Sequence, residues 1–181
     1  QALLDIFTLR RSFEPTGGLR DKTIMMVGDL RRGRTVRSLC YLLANFEDIR
    51  IVFCSPKAYA MGDDIKQFLT RHKVRWSEKE AFQASIPDDD AIYMTRLQDE
   101  HDVEVETHAY DVSQYSFRPE HLKILKPSAV LMHPLPRRIE IDEEVDRDPR
   151  SVYWRQVRNG RWTRVALIAH LFGVDRRILD K

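Results

Sequence analysis

Short apolar runs alternate along the chain with segments in which apolar residues recur every three or four positions. The runs lie at residues 23–28, 49–54, 74–76, 91–94 and 129–132. The helical spacing occupies residues 2–13, 35–45, 63–72, 78–84, 118–125 and 151–173, with a break expected at 159–160. Buried runs of this length predict strands, and the 3.6-residue period predicts helices. Because the connections are too long for hairpins, we predict an α/β fold, a doubly wound parallel sheet with flanking helices.

One stretch, residues 95–117, has no clear period and is rich in acidic residues. Long ordered loops within compact domains are usually functional. We therefore predict a long mobile loop here, of which the segment from Asp99 to Phe117 is the most acidic part.

Composition narrows the choice of function. The chain has 181 residues, 43% of them hydrophobic, and a formal net charge of only +2, which does not call for nucleic acid as a partner. Its apolar runs are far shorter than the roughly 20 residues of a membrane span, and the first residues carry no basic leader. We expect a cytoplasmic protein with no membrane partner. Cys40 and Cys54 lie in apolar stretches and are expected to be buried thiols rather than a disulfide or metal pair.

Candidate chemistry lies just beyond three predicted strands. Arginines follow the first strand at positions 31, 32 and 34, Arg96 and Gln98 follow the fourth, and residues 133–138 follow the last. The carboxyl ends of parallel strands meet at one edge of the sheet. Because a guanidinium binds a carboxylate or phosphate through two parallel hydrogen bonds, arginines there would form a pocket for a ligand with more than one anionic group.

Individual residues allow structural interpretations as well. Arg31 and Arg32 are expected to be solvated loop residues, whereas Arg34 begins a helix, where the dipole disfavours a cation unless an anion or an acid is nearby. The prolines of residues 134–136 fix carbonyl directions, which suits hydrogen bonds from an amide or ammonium group. His133 is equally compatible with a buried structural role and a functional one. Asp29 is expected to bond a nearby arginine or backbone amide.

Gly28, Gly33 and Thr35 also have the spacing of a phosphate-binding P-loop. Arginine stands at position 34, where that motif requires lysine, and it is not an equivalent of lysine. No apolar strand ends in an aspartate that could organise magnesium. A nucleotide hydrolase is therefore disfavoured, and nucleic-acid binding through Arg31, Arg32, Arg137 and Arg138 remains a minor alternative.

Taken together, the motifs resemble those of the aspartate carbamoyltransferase family. The matching segments are residues 1–5, 28–30, 33–36, 93–98 and 133–137. They occur in this order over nearly the whole chain, and the ornithine enzymes are less similar at residues 94–98 and 133–136. The resemblance implies an enzyme that transfers the carbamoyl group of carbamoyl phosphate to L-aspartate in pyrimidine biosynthesis, without metal or cofactor.

The resemblance also implies a role for each matching residue. Arg34 and Arg96 would bind the two carboxylates of aspartate, and Gln98 would position Arg96. Gln1 would contact carbamoyl phosphate together with the turn residues Pro134, Leu135 and Pro136.

The implied architecture is one lobe of a bilobal fold. Residues 1–15 would be an interdomain helix, residues 16–155 the aspartate-binding domain, and residues 156–181 a C-terminal helix packed on an amino-terminal carbamoyl phosphate lobe. That lobe is missing from this chain, so we expect the chain alone to be inactive and the complete protein to be a homo-trimer. The alternative is a non-catalytic amino-acid-binding or regulatory module, and the coding sequence upstream of Gln1 distinguishes the two.

Overall fold

A computed structural model describes residues 1–96 and 112–176. Within these ranges, one sheet contains the parallel strands β1 (Thr23–Val27), β2 (Arg50–Cys54), β3 (Arg75–Lys79), β4 (Ala91–Met94) and β5 (Val130–Met132). The strand order is β3-β2-β1-β4-β5, and every pair is parallel. The prediction of a doubly wound parallel sheet is confirmed. The chain turns outward in opposite directions from β1, which makes the junction of β1 and β4 the topological switch point.

Helices cover both faces of the sheet. They are α1 (Ala2–Phe13), α2 (Arg34–Leu43), α3 (Asp63–Arg71), the short α4 (Phe82–Ser85) and α5 (Tyr153–Leu171). One apolar cluster lies between the sheet and α1, α2 and α3, and it includes Leu9, Leu39 and Ile65. A second cluster, with Phe82, Phe117 and Tyr153, covers the other face. All five residues of β1 are buried, because this strand is central and covered on both sides.

The predicted break at residues 159–160 is wrong, because α5 runs through it. Gly160 lies inside this helix, where α5 packs on α1. A Cβ atom at Gly160 would lie 3.1 Å from Leu4 Cδ2 and 2.9 Å from Arg164 Nη1. The glycine therefore permits close contact between the two helices rather than ending one of them.

The predicted helix over residues 78–84 is also wrong in part. Glu78 and Lys79 end β3, and the helix is limited to Phe82–Ser85. Glutamate and lysine favour helices, but here their backbone pairs with β2 at the exposed edge of the sheet, and pairing overrides propensity.

The prediction of a loop over residues 95–117 is wrong for its last residues, which form a short helix and a buried segment. Val112–Tyr115 is a 3₁₀ helix, and Tyr115, Ser116 and Phe117 are buried. Phe117 forms an isolated bridge with Ile141. Residues 97–111 of that prediction lie outside the described residues. The helix predicted over 118–125 is a 3₁₀ helix, Pro119–Lys123.

Both cysteines are buried free thiols, as predicted, and burial raises the pKa of each to about 12. No helix within the described ranges has the length and apolar content needed to cross a lipid bilayer.

Candidate functional site

The ends of β1, β4 and β5 form one continuous edge, because these strands are neighbours in the sheet. The first two are joined beyond the ladder by Thr95, whose backbone nitrogen and Oγ1 each donate to the Val27 carbonyl oxygen at 2.8 Å. Gly28 adopts φ +115°, and a Cβ atom there would lie 2.3 Å from the Thr95 carbonyl oxygen. Glycine is thus required where the two strand ends meet.

The loop between β1 and α2 uses its own amides for internal hydrogen bonds. The N–H groups of Leu30 and Arg31 donate to the Tyr59 carbonyl oxygen, and the Arg32 N–H donates to Asp29 Oδ1 at 2.9 Å. The Gly28 and Gly33 N–H groups donate to the carbonyl oxygens of Cys54 and Asp29. A P-loop presents such amides to phosphates, so the structure disfavours that interpretation. It confirms the structural role predicted for Asp29.

Arg34 is the first residue of α2 and its side chain is exposed. The N-cap is Gly33, no side chain among the described residues caps this end, and the first turn contains no acidic residue. The positive end of the helix dipole and the guanidinium therefore lie together beside the sheet edge. Both would be stabilised by a bound anion.

Arg96 follows Thr95 at the end of β4 and is half-buried. Arg31 and Arg32 are exposed, and the Arg32 guanidinium lies 5.8 Å from the centre of the Tyr59 ring. Arg96 thus follows β4, and Arg34 begins the helix that comes after the neighbouring strand β1. Gln98, the third residue expected to contact aspartate, lies outside the described residues.

The turn after β5 is held by two buried side chains. His133 Nδ1 accepts from the Leu135 N–H at 2.8 Å, so its proton resides on Nε2, which donates to Glu140 Oε1 at 2.8 Å. Glu140 Oε2 also accepts from the Arg138 N–H. Burial raises the pKa of Glu140, but the hydrogen bond from His133 and those from backbone amides outweigh burial and lower it. His133 is therefore a structural residue of the turn.

Within this turn, Leu135 has φ +51° and the Leu135–Pro136 peptide is cis. Pro134 and Leu135 are half-buried, whereas Pro136 is exposed. The turn lies at the same sheet edge as Arg96, since β4 and β5 are paired. Its fixed backbone presents carbonyl oxygens in defined directions, which are acceptors for N–H donors.

Gln1 is connected to strand β4 by the side chain of Asp5, a buried residue of α1 that the sequence analysis did not identify as important. The Gln1 Nε2 atom donates to Asp5 Oδ1 at 2.9 Å, and Gln156 Nε2 donates to the same oxygen at 2.7 Å. Glu140 and Gln156 were missed as well. The available signal is a polar residue on the apolar face of a helix, as at Asp5 and Gln156.

One basic residue that was a candidate for nucleic-acid binding, Arg137, lies just after the proline turn and is bonded within the protein. Arg137 forms a two-pronged ion pair with Asp146, and its guanidinium lies 5.4 Å from the centre of the Tyr153 ring. Its hydrogen bonds to Asp146 raise the pKa of Arg137. The alternative of nucleic-acid binding through this arginine is weakened accordingly. In the described part of the chain, no three His, Cys, Asp or Glu side chains are clustered as metal ligands.

Comparisons with known proteins, by family model and by sequence, identify the same family. The family model described as aspartate/ornithine carbamoyltransferase, Asp/Orn binding domain, matches residues 20–171. Aspartate carbamoyltransferase 1, chloroplastic, of Pisum sativum is 41% identical over 170 residues, which are 93% of this chain and 43% of the pea protein.

Two solved structures are similar in fold and sequence. The catalytic subunit of M. jannaschii aspartate transcarbamoylase superposes with a TM-score of 0.85 at 32% identity, over 97% of this chain and 56% of that one. The Trypanosoma cruzi aspartate transcarbamoylase in complex with aspartate and phosphate gives a TM-score of 0.79 at 31% identity, over 92% and 51%. The chain thus spans about half the length of these relatives.

Proposed function

Because the chain belongs to the aspartate/ornithine carbamoyltransferase family, we propose that it supplies the aspartate-binding half of an enzyme that carbamoylates L-aspartate. The observation that supports this proposal is that β1, β4 and β5 are neighbouring parallel strands, followed along the chain by the helix that begins at Arg34, by Arg96 and by the proline turn. The relatives named aspartate carbamoyltransferase and the Trypanosoma cruzi complex with aspartate support the choice of substrate.

Two arginines at this edge suit a dicarboxylic amino acid. Each charge-assisted hydrogen bond to a carboxylate contributes roughly 1.5–3 kcal/mol. Arg34 would bind one carboxylate at the start of α2 and Arg96 the other, with Gln98 positioning Arg96. Ornithine carries one carboxylate and a terminal ammonium, so it would leave one of these arginines without an anion.

The reaction requires alignment rather than a covalent nucleophile. The neutral amino nitrogen of aspartate attacks the carbonyl carbon of carbamoyl phosphate, the bond from that carbon to the phosphate oxygen breaks, and the nitrogen loses a proton as phosphate leaves. The carbonyl oxygens of Pro134 and Leu135 would accept hydrogen bonds from the carbamoyl and amino N–H groups. Because Asp5 holds the Gln1 amide nitrogen, the Gln1 amide oxygen would be directed towards the carbamoyl group. Orientation and electrostatics supply the rate.

The phosphate group requires residues beyond this chain, which we assign to an amino-terminal carbamoyl phosphate lobe. In this division, residues 1–15 form the interdomain helix, residues 16–155 the aspartate domain, and residues 156–181 the helix that packs on the other lobe. Exposed apolar side chains on α5 support that packing. Trp162 is 60% and Phe172 78% exposed.

A homo-trimer is inferred from the resemblance alone, and the molecular mass of the full-length protein in solution tests it.

The experiment compares Arg96→Ala with Arg31→Ala in the full-length gene product. Wild-type protein should carbamoylate aspartate in preference to ornithine, and Arg96→Ala should lower turnover of aspartate by roughly 10² or more, as expected for loss of one oriented electrostatic donor. Arg31→Ala, an exposed arginine of the same edge, should have near-normal kinetics.

Two outcomes would contradict the proposal. If Arg96→Ala keeps near-normal kinetics with aspartate, the assignment of the aspartate site is wrong. If the wild-type protein binds aspartate without transferring a carbamoyl group, the chain belongs to a binding or regulatory module instead.

A further inference from the structure

The carboxylate of Asp5 is a buried junction of hydrogen bonds. Asp5 is 0% exposed, and its Oδ1 accepts from Gln1 Nε2 at 2.9 Å and from Gln156 Nε2 at 2.7 Å. Its Oδ2 accepts from the Tyr93 hydroxyl at 2.9 Å. One side chain of α1 therefore bonds the residue before its own helix, strand β4 and helix α5.

Each of these partners leads to a segment of the proposed substrate site. Tyr93 lies in β4 three residues before Arg96, and the side chain of Thr35, the neighbour of Arg34, is close enough to its hydroxyl to lower the Tyr93 pKa slightly against the effect of burial. The Gln156 Oε1 atom accepts from the His133 N–H at 3.0 Å, where the turn containing Pro134 begins. Gln1 is itself assigned to carbamoyl phosphate. All four segments thus converge on a single carboxylate.

A role limited to docking α1 on α5 does not require this carboxylate. One helical turn further along, the Asn159 Nδ2 atom donates to Thr8 Oγ1 at 3.0 Å and joins the same two helices without reaching the sheet edge. A buried carboxylate is costlier to the fold than a hydroxyl. Burial raises the pKa of Asp5 above its usual value despite the hydrogen bonds from Tyr93, Gln156 and Gln1. Burial and the neighbouring Asp5 raise the pKa of Tyr93 well above its usual value, so its hydroxyl remains a donor.

We propose that Asp5 is a positioning residue, which fixes Gln1, the Arg34 helix end, the Arg96 strand end and the Pro134 turn in one mutual arrangement. The proposal rests on the carbamoyl transfer proposed above. It assigns to Asp5 no contact with substrate and no proton transfer, only the geometry of the residues that make contact.

The test compares Asp5→Asn with Thr8→Val in the full-length protein. Both changes nearly preserve shape, and both alter a buried polar contact between α1 and α5. Asp5→Asn places an amide N–H₂ group against donors, and we expect kcat to fall about 10²-fold and the KM values for aspartate and for carbamoyl phosphate both to rise. Thr8→Val should lower the Tm comparably and leave kcat and both KM values at the wild-type level.

Tyr93→Phe provides a second measurement in case Asp5→Asn does not fold. It removes one hydroxyl, and kcat should fall about tenfold with the KM for aspartate raised. In the double variant the two effects should be far from additive, since both changes break the same network.

The proposal is overturned if Asp5→Asn folds and keeps wild-type kcat and KM values, whatever its Tm. It is equally overturned if Asp5→Asn fails to fold and Tyr93→Phe has wild-type kinetics. If the wild-type enzyme is active and the Asp5→Asn variant has the same kcat and KM values, only the positioning role is refuted. An inactive wild-type enzyme refutes the carbamoyl transfer and the positioning role together.

Discussion

Asp89 is a buried carboxylate two residues before β4. It therefore lies at the amino-terminal edge of the parallel sheet, whereas the candidate site lies at the carboxyl-terminal edge. It is 0% exposed, and neither of its carboxylate oxygens has a hydrogen-bond partner among the described residues. Burial raises the pKa of Asp89 to about 7. Lys79 and Lys126 oppose this shift, and Asp88 and Asp90 add to it. The residue therefore binds a proton in the folded state at a pH where the unfolded chain has released it.

Asp89→Asn should consequently change how stability depends on pH. Between pH 4 and pH 7 the folded protein retains a proton that the unfolded chain loses, so the contribution of Asp89 to stability falls as pH rises and is constant above pH 7. Over this range we expect the wild type to lose about 4 kcal/mol more than the variant, since one pKa unit corresponds to about 1.4 kcal/mol. Thermal or urea unfolding at several pH values measures the difference.

Asp88→Asn is the matched control, because the Asp88 side chain is 75% exposed and lies 3.7 Å from Lys79 Nζ. It should keep most of the wild-type pH slope, because burial is the main cause of the raised pKa of Asp89 and the charge of Asp88 only adds to it. If Asp89→Asn shares that slope too, Asp89 does not hold a proton in the folded state.

At the scale of elements, the junction of β1 and β4 depends on a glycine. Gly28→Ala would bring a methyl group against the Thr95 carbonyl oxygen, while Gly17→Ala, also at a positive φ, meets nothing within 4 Å. We expect Gly28→Ala to lower the free energy of unfolding by about 1–3 kcal/mol more than Gly17→Ala, because only the former overpacks a contact. The displaced Thr95 should also raise the KM for aspartate through Arg96. Equal unfolding free energies for the two variants would contradict this account of the junction.

Most elements could be predicted from the sequence because they bury a regular apolar face. The strands at β1, β2, β4 and β5 and the helices at α1, α2 and α3 agree with their patterns within a few residues. The exceptions have non-local causes. At β3, pairing with β2 overrides a helix-forming composition, and Gly160 meets Leu4 from the other end of the chain.

The residues of the candidate site also fall into two groups, those that the sequence could locate and those that it could not. Arg34, Arg96 and residues 134–136 could be located from the sequence, because residues that follow parallel strands must lie at one edge. Asp5, Gln156 and Glu140 could not, because a buried polar residue reveals its role only through partners distant in sequence. Asp5 and Gln156 are 151 residues apart.

At the scale of the whole molecule, α5 has an apolar side without a partner in the described ranges. Trp162, Val165, Ile168 and Phe172 are exposed at helical spacing. In the full-length protein, Ile168→Asp should lower the Tm by several degrees, because an isoleucine side chain buried against the other lobe contributes about 1.5–3 kcal/mol. His170→Gln changes an exposed polar residue two positions after Ile168, on the opposite side of the same helix, and should lie within about 0.5 kcal/mol of the wild type. Identical Tm values for the two variants would argue against the packing assigned to α5.

The hydrogen bond from Gln156 to Asp5 also bears on the order in which the chain matures. All strands of the sheet lie before residue 133, so the strand ladder can assemble while the chain is still being synthesised. The bonds of α5 to Asp5 and Thr8 each span 151 residues and must close one of the largest loops in the domain. A nascent chain that ends before α5 would thus contain the sheet but not the hydrogen bonds of Gln156 to Asp5 and His133, and the arrangement that we propose for substrate binding would form after the sheet.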